Sequence, residues 1–268
     1  MTELGPFERN KIYCGQSEKL LAQLPDDCID LTVTSPPYDN LRTYNGFTLD
    51  WHEIIHQLYR VTKPGGVAVW VVADATINGS ETGTSFRQAL WAMKCGFRLH
   101  DTMIYKLQNP PPLNHNRYEQ AFEYMFVFSK GRPKSFNPIM KKSKSTGKLR
   151  GGTMRNNGSD NLSPKQTLGR IPAQSVRDNV FSYAVGNEKH NKSGKHPAIF
   201  CEALARDHII SWSNPGDLVL DCFVGSGTTA KMAMQNGRDY LGFDISEEYC
   251  ELARKRVAWA NPPLLIID

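Results

Sequence analysis

Residues 218–230, LVLDCFVGSGTTA, constrain this chain more than any other stretch. An apolar strand ends at Asp221, a turn containing Gly225 and Gly227 follows, and a helix-compatible run begins near Thr228. Strand, glycine turn and helix in that order form the repeating unit of a doubly wound α/β sheet, in which each helix packs back over parallel strands. Glycine lets a ligand come close to the backbone, and the unpaired N–H groups at a helix start favour an anionic group. Asp244 stands 23 residues after Asp221, at the end of the next apolar run, YLGFDIS. A carboxylate there suits the hydroxyls of a ribose. By itself the pattern points only to a nucleoside-containing cofactor. Asp244 is equally well placed to serve a helix start, since Ser246 and Glu247 follow it.

The rest of the chain alternates in the same way. KIYCG (11–15) reads as a strand, and SEKLLAQLP places Leu20, Leu21 and Leu24 on one helical face. IDLTVT is an apolar strand. WHEIIHQLYRVTK carries apolar residues at 51, 54, 55, 58 and 61, a helical spacing that KPGG ends, and VAVWVVAD is a buried strand. TSFRQALWAMKCGF is a helix closed by Gly96. HDTMIYKLQ and YMFVFSK form two strands around the proline-rich loop NPPPLNHNRYEQ, an expected antiparallel hairpin at one end of the sheet. HPAIFCEALARDHIISWS is a helix with proline near its start, and EEYCELARKRVAWA is the last helix. From Gly131 to about Lys195 the periodicity disappears and Lys, Gly, Ser and Asn dominate, as in a loop or a small irregular lobe. The expected fold is therefore α/β: a doubly wound, mostly parallel sheet with one antiparallel hairpin strand, divided in sequence into 1–130, 131–195 and 196–268.

A second motif, Thr34-Ser35-Pro36-Pro37-Tyr38, lies where the strand IDLTVT ends. Two consecutive prolines can continue neither a ladder nor a helix, so the chain leaves the sheet there in a stiff turn. Open α/β sheets bind ligands at such strand ends. The Ser35 hydroxyl and the Pro36 carbonyl form a rigid pair of acceptors for an amino group. Tyr38 offers a face on which a base can stack, worth roughly 1–3 kcal/mol. An isolated Ser-Pro-Pro would more simply be a turn.

Charge is unevenly spread. Residues 130–195 hold 15 Lys and Arg against 3 Asp and Glu, a balance of +12, whereas the remainder balances at −7. Such a block suits a polyanion, although a solvated loop has the same composition. The six cysteines include no CxxC pair and no zinc-ligand spacing, and read as reduced thiols of a cytoplasmic protein. No metal site is expected. There is no run of 18 apolar residues, and MTELGPFERNK lacks the apolar core of a signal peptide, so no membrane association is expected.

Taken together, TSPPY (34–38) and DCFVGSGTT (221–229) resemble the catalytic and cofactor motifs of DNA amino-methyltransferases. Their order, catalytic motif first, resembles the circularly permuted β class. LPDDCIDLTVTSPPY, KPGGVAVWVV, EYMFVFSKGRPKSFNP, GKHPAIFCEAL and YLGFDISEEYCELA read like further blocks of that family, so the resemblance covers nearly the whole chain. It implies a Rossmann-like methyltransferase using S-adenosylmethionine, with catalytic and cofactor-binding halves at 1–130 and 196–268 and a target-recognition region at 131–195. Asp221, Phe223, Gly225 and Gly227 would surround the methionine end of the cofactor, Thr228 would also bind it, Asp244 would hold its ribose, and His196 and Pro197 would lie beside it. Ser35, Pro36, Pro37 and Tyr38 would receive a base flipped out of double-stranded DNA. The family often has Gly-Asp after the first strand; this chain has Gly15-Gln16 and departs from the pattern there.

Carbon-5 cytosine chemistry is excluded, because it needs a Pro-Cys nucleophile and no cysteine here follows a proline. Ser35 in the first motif position resembles the cytosine-N4 group; adenine-N6 enzymes usually carry Asp or Asn there, and N6 chemistry stays open as the alternative. A catalytically silent DNA-binding relative is a further alternative. The family's β class often forms homodimers, and its restriction-modification context brings a cognate restriction endonuclease into view as a partner.

Overall fold

A computed structural model describes residues 3–37, 49–108, 110, 117–149, 169–183 and 200–260. In chain order the elements are β1 (Lys11–Cys14), α1 (Ser17–Leu21), β2 (Ile29–Thr34), α2 (Trp51–Val61), β3 (Thr62–Val72), β4 (Thr76–Ile77), β5 (Ser80–Glu81), α3 (Thr84–Cys95), β6 (Arg98–Leu107) and β7 (Phe122–Ser129). They continue with β8 (Met140–Lys142), β9 (Gln174–Val176), β10 (Val180–Tyr183), α4 (Glu202–Trp212), β11 (Leu218–Asp221), α5 (Thr228–Gln235), β12 (Asp239–Asp244) and α6 (Glu247–Trp259). Among the described residues, no helix is long and apolar enough to cross a membrane.

Eight strands form one sheet in the order β1-β12-β11-β2-β3-β7-β6-β10. Every neighbouring pair is parallel except the two that involve β7, which runs against both β3 and β6. This is the doubly wound, mostly parallel sheet with an antiparallel hairpin strand that the sequence predicts. Two expectations need correction. The β6–β7 hairpin is not the sheet's end, because β10 pairs with β6 outside it. Residues 180–183 therefore belong to the main sheet although they lie in the aperiodic stretch; a four-residue strand is too short to show a period. The helix expected from His196 begins only at Glu202, after an extended Cys201; residues 196–199 lie outside the described residues.

Alternation along β3 explains why the sheet is covered on both faces. Ala68, Trp70 and Val72 join a core with Ile54, Ile55 and Leu58 of α2 and Ala89 and Ala92 of α3. Val67, Val69 and Val71 are equally buried on the opposite face. Helices α1, α2 and α3 pack as one group and α4, α5 and α6 as another. The KPGG segment ends α2 as expected, but the chain enters the strand at once. The pairing with β2 jumps from Ile29–Thr62 to Leu31–Val67, so Lys63, Pro64, Gly65 and Gly66 form a bulge.

Residues Pro138–Asp178 form a separate compact unit, distinct from Met1–Asn137 with Asn179–Asp268. Its described core element is the antiparallel pair β8–β9, extended by a bridge between Leu149 and Arg170.

Candidate active site

Because β1, β12, β11, β2 and β3 are parallel, their C-terminal ends line one edge of the sheet. That edge carries Gly15 and Gln16, Asp244, Asp221, Thr34-Ser35 and Asp74 side by side, though they are far apart in sequence. The two motifs meet at its centre. Thr34 Oγ1 donates to Asp221 Oδ1 at 2.6 Å, a buried bond across 187 residues of chain. The Phe223 N–H donates to the same carboxylate oxygen at 3.1 Å. Thr229, in the first turn of α5, donates to the Val33 carbonyl at 3.2 Å. Burial lifts the Asp221 carboxyl to about 6, against the hydrogen bonds from Thr34 and the Phe223 N–H that favour its ionised form.

The glycine turn is built as its sequence requires. Gly225 and Gly227 have φ of 47° and 83°, in the left-handed region that side chains resist. At Gly227 space forbids a side chain as well, since a Cβ would lie 2.9 Å from Ala253 Cα on α6. Asp244 closes the turn from the neighbouring strand. Its Oδ2 accepts from Gly225 N–H at 2.9 Å and its Oδ1 from Ser246 N–H at 3.0 Å. Ser246 in turn caps α6, accepting from Tyr249 N–H at 3.4 Å. Asp244 thus serves both the helix start and the glycine turn. Its carboxylate is half-buried.

Of the residues singled out in the sequence, Ser35, Pro36 and Pro37 lie at the end of β2, with Pro36 buried and the other two half-buried. Asp221, Phe223, Gly225, Gly227, Thr228 and Asp244 gather at β11, the turn and β12. Phe223 is half-buried and meets buried Trp70 edge-on, with ring centroids 6.1 Å apart. Tyr38, His196 and Pro197 lie outside the described residues.

Several supporting groups carry no sequence signal of their own. Thr34 opens the TSPPY motif, but nothing in its residue type announces a bond to a distant carboxylate. Ser17 Oγ donates to the Cys222 carbonyl at 2.5 Å and ties α1 to the turn. Gly15 N–H donates to the Asp244 carbonyl at 2.8 Å, while the Gln16 Oε1 beside it is buried without a hydrogen-bond partner among the described residues. Asp74, just past β3, accepts from the Ser85 N–H at 2.8 Å and fixes the start of α3. Such partners become recognisable only when the strand order is known.

A mostly parallel sheet with a glycine turn and an acidic strand end beside a Ser-Pro-Pro turn defines a nucleoside-cofactor enzyme of the doubly wound class. Residues 29–255 match the family model described as DNA methylase, of N6/N4 type. The chain belongs to this family of S-adenosylmethionine-dependent DNA methyltransferases. It is 51% identical over 239 residues to the orphan methyltransferase M.BamHII of Bacillus amyloliquefaciens, covering 86% of this chain and 89% of that one. Among solved structures it resembles the PvuII cytosine-N4-specific DNA methyltransferase, with a TM-score of 0.67 and 21% identity over 92% of this chain and 89% of that one. It also resembles M1.HpyAVI in its complex with S-adenosylmethionine, with a TM-score of 0.61 and 22% identity over 92% and 98% of the two chains.

Proposed function

We propose that this chain transfers a methyl group to the exocyclic N4 of cytosine in duplex DNA. The observation that carries the reading is the Thr34–Asp221 hydrogen bond, which joins the Ser-Pro-Pro turn to the glycine turn at one sheet edge. The PvuII cytosine-N4-specific enzyme shares the fold, and Ser35 occupies the motif position that resembles the N4 group.

The residues present fit the cofactor. Two left-handed glycines leave the backbone of the turn bare for an amino-acid tail, half-buried Phe223 offers an apolar wall, and the Asp244 carboxylate can accept from ribose hydroxyls. S-adenosylmethionine, when bound, supplies an electrophilic methyl on a sulfonium centre. The chain's own task is positioning. An exocyclic amino nitrogen is a poor nucleophile because its lone pair is conjugated with the ring. The Ser35 hydroxyl and the Pro36 carbonyl would accept hydrogen bonds from its two N–H groups and hold the nitrogen pyramidal, with the lone pair free of the ring. The stiffness of Pro36-Pro37 keeps those acceptors in place, and Tyr38 would stack on the flipped base. No covalent attachment to the protein is needed.

The unit Pro138–Asp178 would read the DNA. Its described part carries Lys141, Lys142, Lys144, Lys148, Arg170 and Arg177 against Asp178. The homodimer and the cognate endonuclease are carried over from related enzymes as further proposals.

The test combines product and variant. Nucleosides from DNA methylated by the purified chain are separated by mass; N4-methylcytosine is expected, and N6-methyladenine would replace this reading with the adenine one. Ser35→Ala should lower kcat by about 10²-fold or more while calorimetric affinity for S-adenosylmethionine stays at the wild-type value. Lost cofactor affinity in that variant would place Ser35 in the other half of the site.

A further inference from the structure

On the side of the glycine turn formed by α6 lies a cluster of polar side chains for which methyl transfer itself has no use. Arg256 Nη1 donates to Ser226 Oγ at 2.8 Å and to Thr228 Oγ1 at 3.0 Å, the two hydroxyls flanking Gly227. Its Nη2 donates to Glu202 Oε1, which also accepts from Lys231 Nζ. Glu202 is the first residue of α4, Lys231 sits on α5 and Arg256 on α6, so one carboxylate links three helices. The side chains are largely buried, at 18% exposure for Arg256, 22% for Glu202 and 15% for Lys231. Burial pushes the Glu202 carboxyl up, but the hydrogen bonds from Lys231 and Arg256 outweigh it and hold it below the usual carboxylate range. The ion pairs are therefore intact at neutral pH.

The face of α6 that reaches the turn follows helical spacing. Ala253 lies directly against Gly227, and Arg256, three residues on, clasps the residues either side of it. Backbone at Gly227 is set by α6 as much as by α5, which begins there. A turn whose N–H groups must face a ligand is only as well defined as whatever fixes its dihedrals.

We infer that Arg256, anchored by Glu202, is a positioning residue that holds the 225–228 turn in its cofactor-binding shape. The inference rests on the reading that this turn binds S-adenosylmethionine. Lys231 supplies an internal control. It shares the same carboxylate, but its ammonium bonds to Glu202 and not to the turn.

The experiment is calorimetric titration of S-adenosylmethionine into the full chain and its variants, with thermal unfolding and DNA affinity measured on each. Arg256→Met should raise the cofactor Kd about tenfold, as expected for lost hydrogen bonds from a charged donor, with DNA affinity unchanged. Lys231→Met should keep a wild-type Kd even if it lowers the melting temperature. Ser226→Ala removes one acceptor from the turn side with little risk to folding, and should shift Kd in the same direction as Arg256→Met. Equal losses of Kd in Arg256→Met and Lys231→Met would reduce the cluster to a structural tie and overturn the inference. A wild-type Kd in Arg256→Met, with binding lost in Asp244→Ala, would overturn it and leave the site reading intact. A wild-type Kd in both would overturn the site reading and the inference together.

Discussion

The Asp221 side chain is held by Thr34 and the Phe223 N–H, so its carboxylate organises the junction of the two motifs from within the protein. Its burial has a measurable signature. The folded value of about 6 exceeds the ordinary 3.8, so folding takes up a proton. The stabilisation that this gives is full below about pH 4 and is lost as pH rises through about 6. Asp221→Asn cannot ionise and should therefore gain stability relative to wild type on going from pH 4.5 to pH 7, by about 2 kcal/mol. Urea unfolding at the two pH values checks this; a pH-independent difference would mean that the carboxylate is comfortably solvated. At this scale many residues of the candidate site were legible. Ser35, Asp221, Gly225, Gly227 and Asp244 stood out because glycine, proline and carboxylate at strand ends have few other uses. Ser17, Arg256 and the bond that the motif residue Thr34 makes to Asp221 did not, because each links residues nearly 30 or more positions apart.

Gly227 is where two elements meet. It caps α5 with φ of 83° and has Ala253 of α6 against the space a side chain would fill. Gly227→Ala therefore combines a left-handed backbone with a clash against main-chain atoms. It should destabilise the protein by about 2–4 kcal/mol and abolish S-adenosylmethionine binding even at temperatures where the variant is folded. Thermal unfolding paired with cofactor titration separates the two effects. Element boundaries were legible wherever one face of an element meets solvent. The helix α2, with Ile54, Ile55, Leu58 and Val61 buried and charged residues opposite, was found within two residues of its end. The start of α4 was misplaced. Leu204, Ala205, Asp207, His208, Ile209, Ser211 and Trp212 are all buried, so apolar periodicity is weak there and cannot mark the first turn. The short strand β10 escaped for the same lack of pattern.

At the level of the whole molecule, the parallel sheet was legible from the alternation of strands and helices. The strand order was not, because it depends on pairings between residues as distant as Lys11 and Leu241. The charge imbalance gives this scale its prediction. The positive residues concentrate in a unit distinct from the one that carries the glycine turn. Replacing Lys142, Lys144 and Lys148 together by Ala should weaken DNA binding and flatten its dependence on salt. For every phosphate no longer neutralised, the slope of log affinity against log salt should become shallower by roughly 0.9. Cofactor affinity should not move. Filter binding over a range of salt concentrations tests the first claim and calorimetry the second. An unchanged slope would remove these lysines from the DNA interface.

The bond between Thr34 and Asp221 also has a consequence in time. The strand β11, third in the sheet, is made late in the chain, while its neighbour β2 is made early. During synthesis the first strands emerge with one flank of their sheet still unwritten, and β1 has no partner until β12 follows. Closure must then bring together segments separated by most of the polypeptide, a route of high contact order and correspondingly slow folding. The nascent protein thus exposes apolar strand edges until β11 and β12 have left the ribosome.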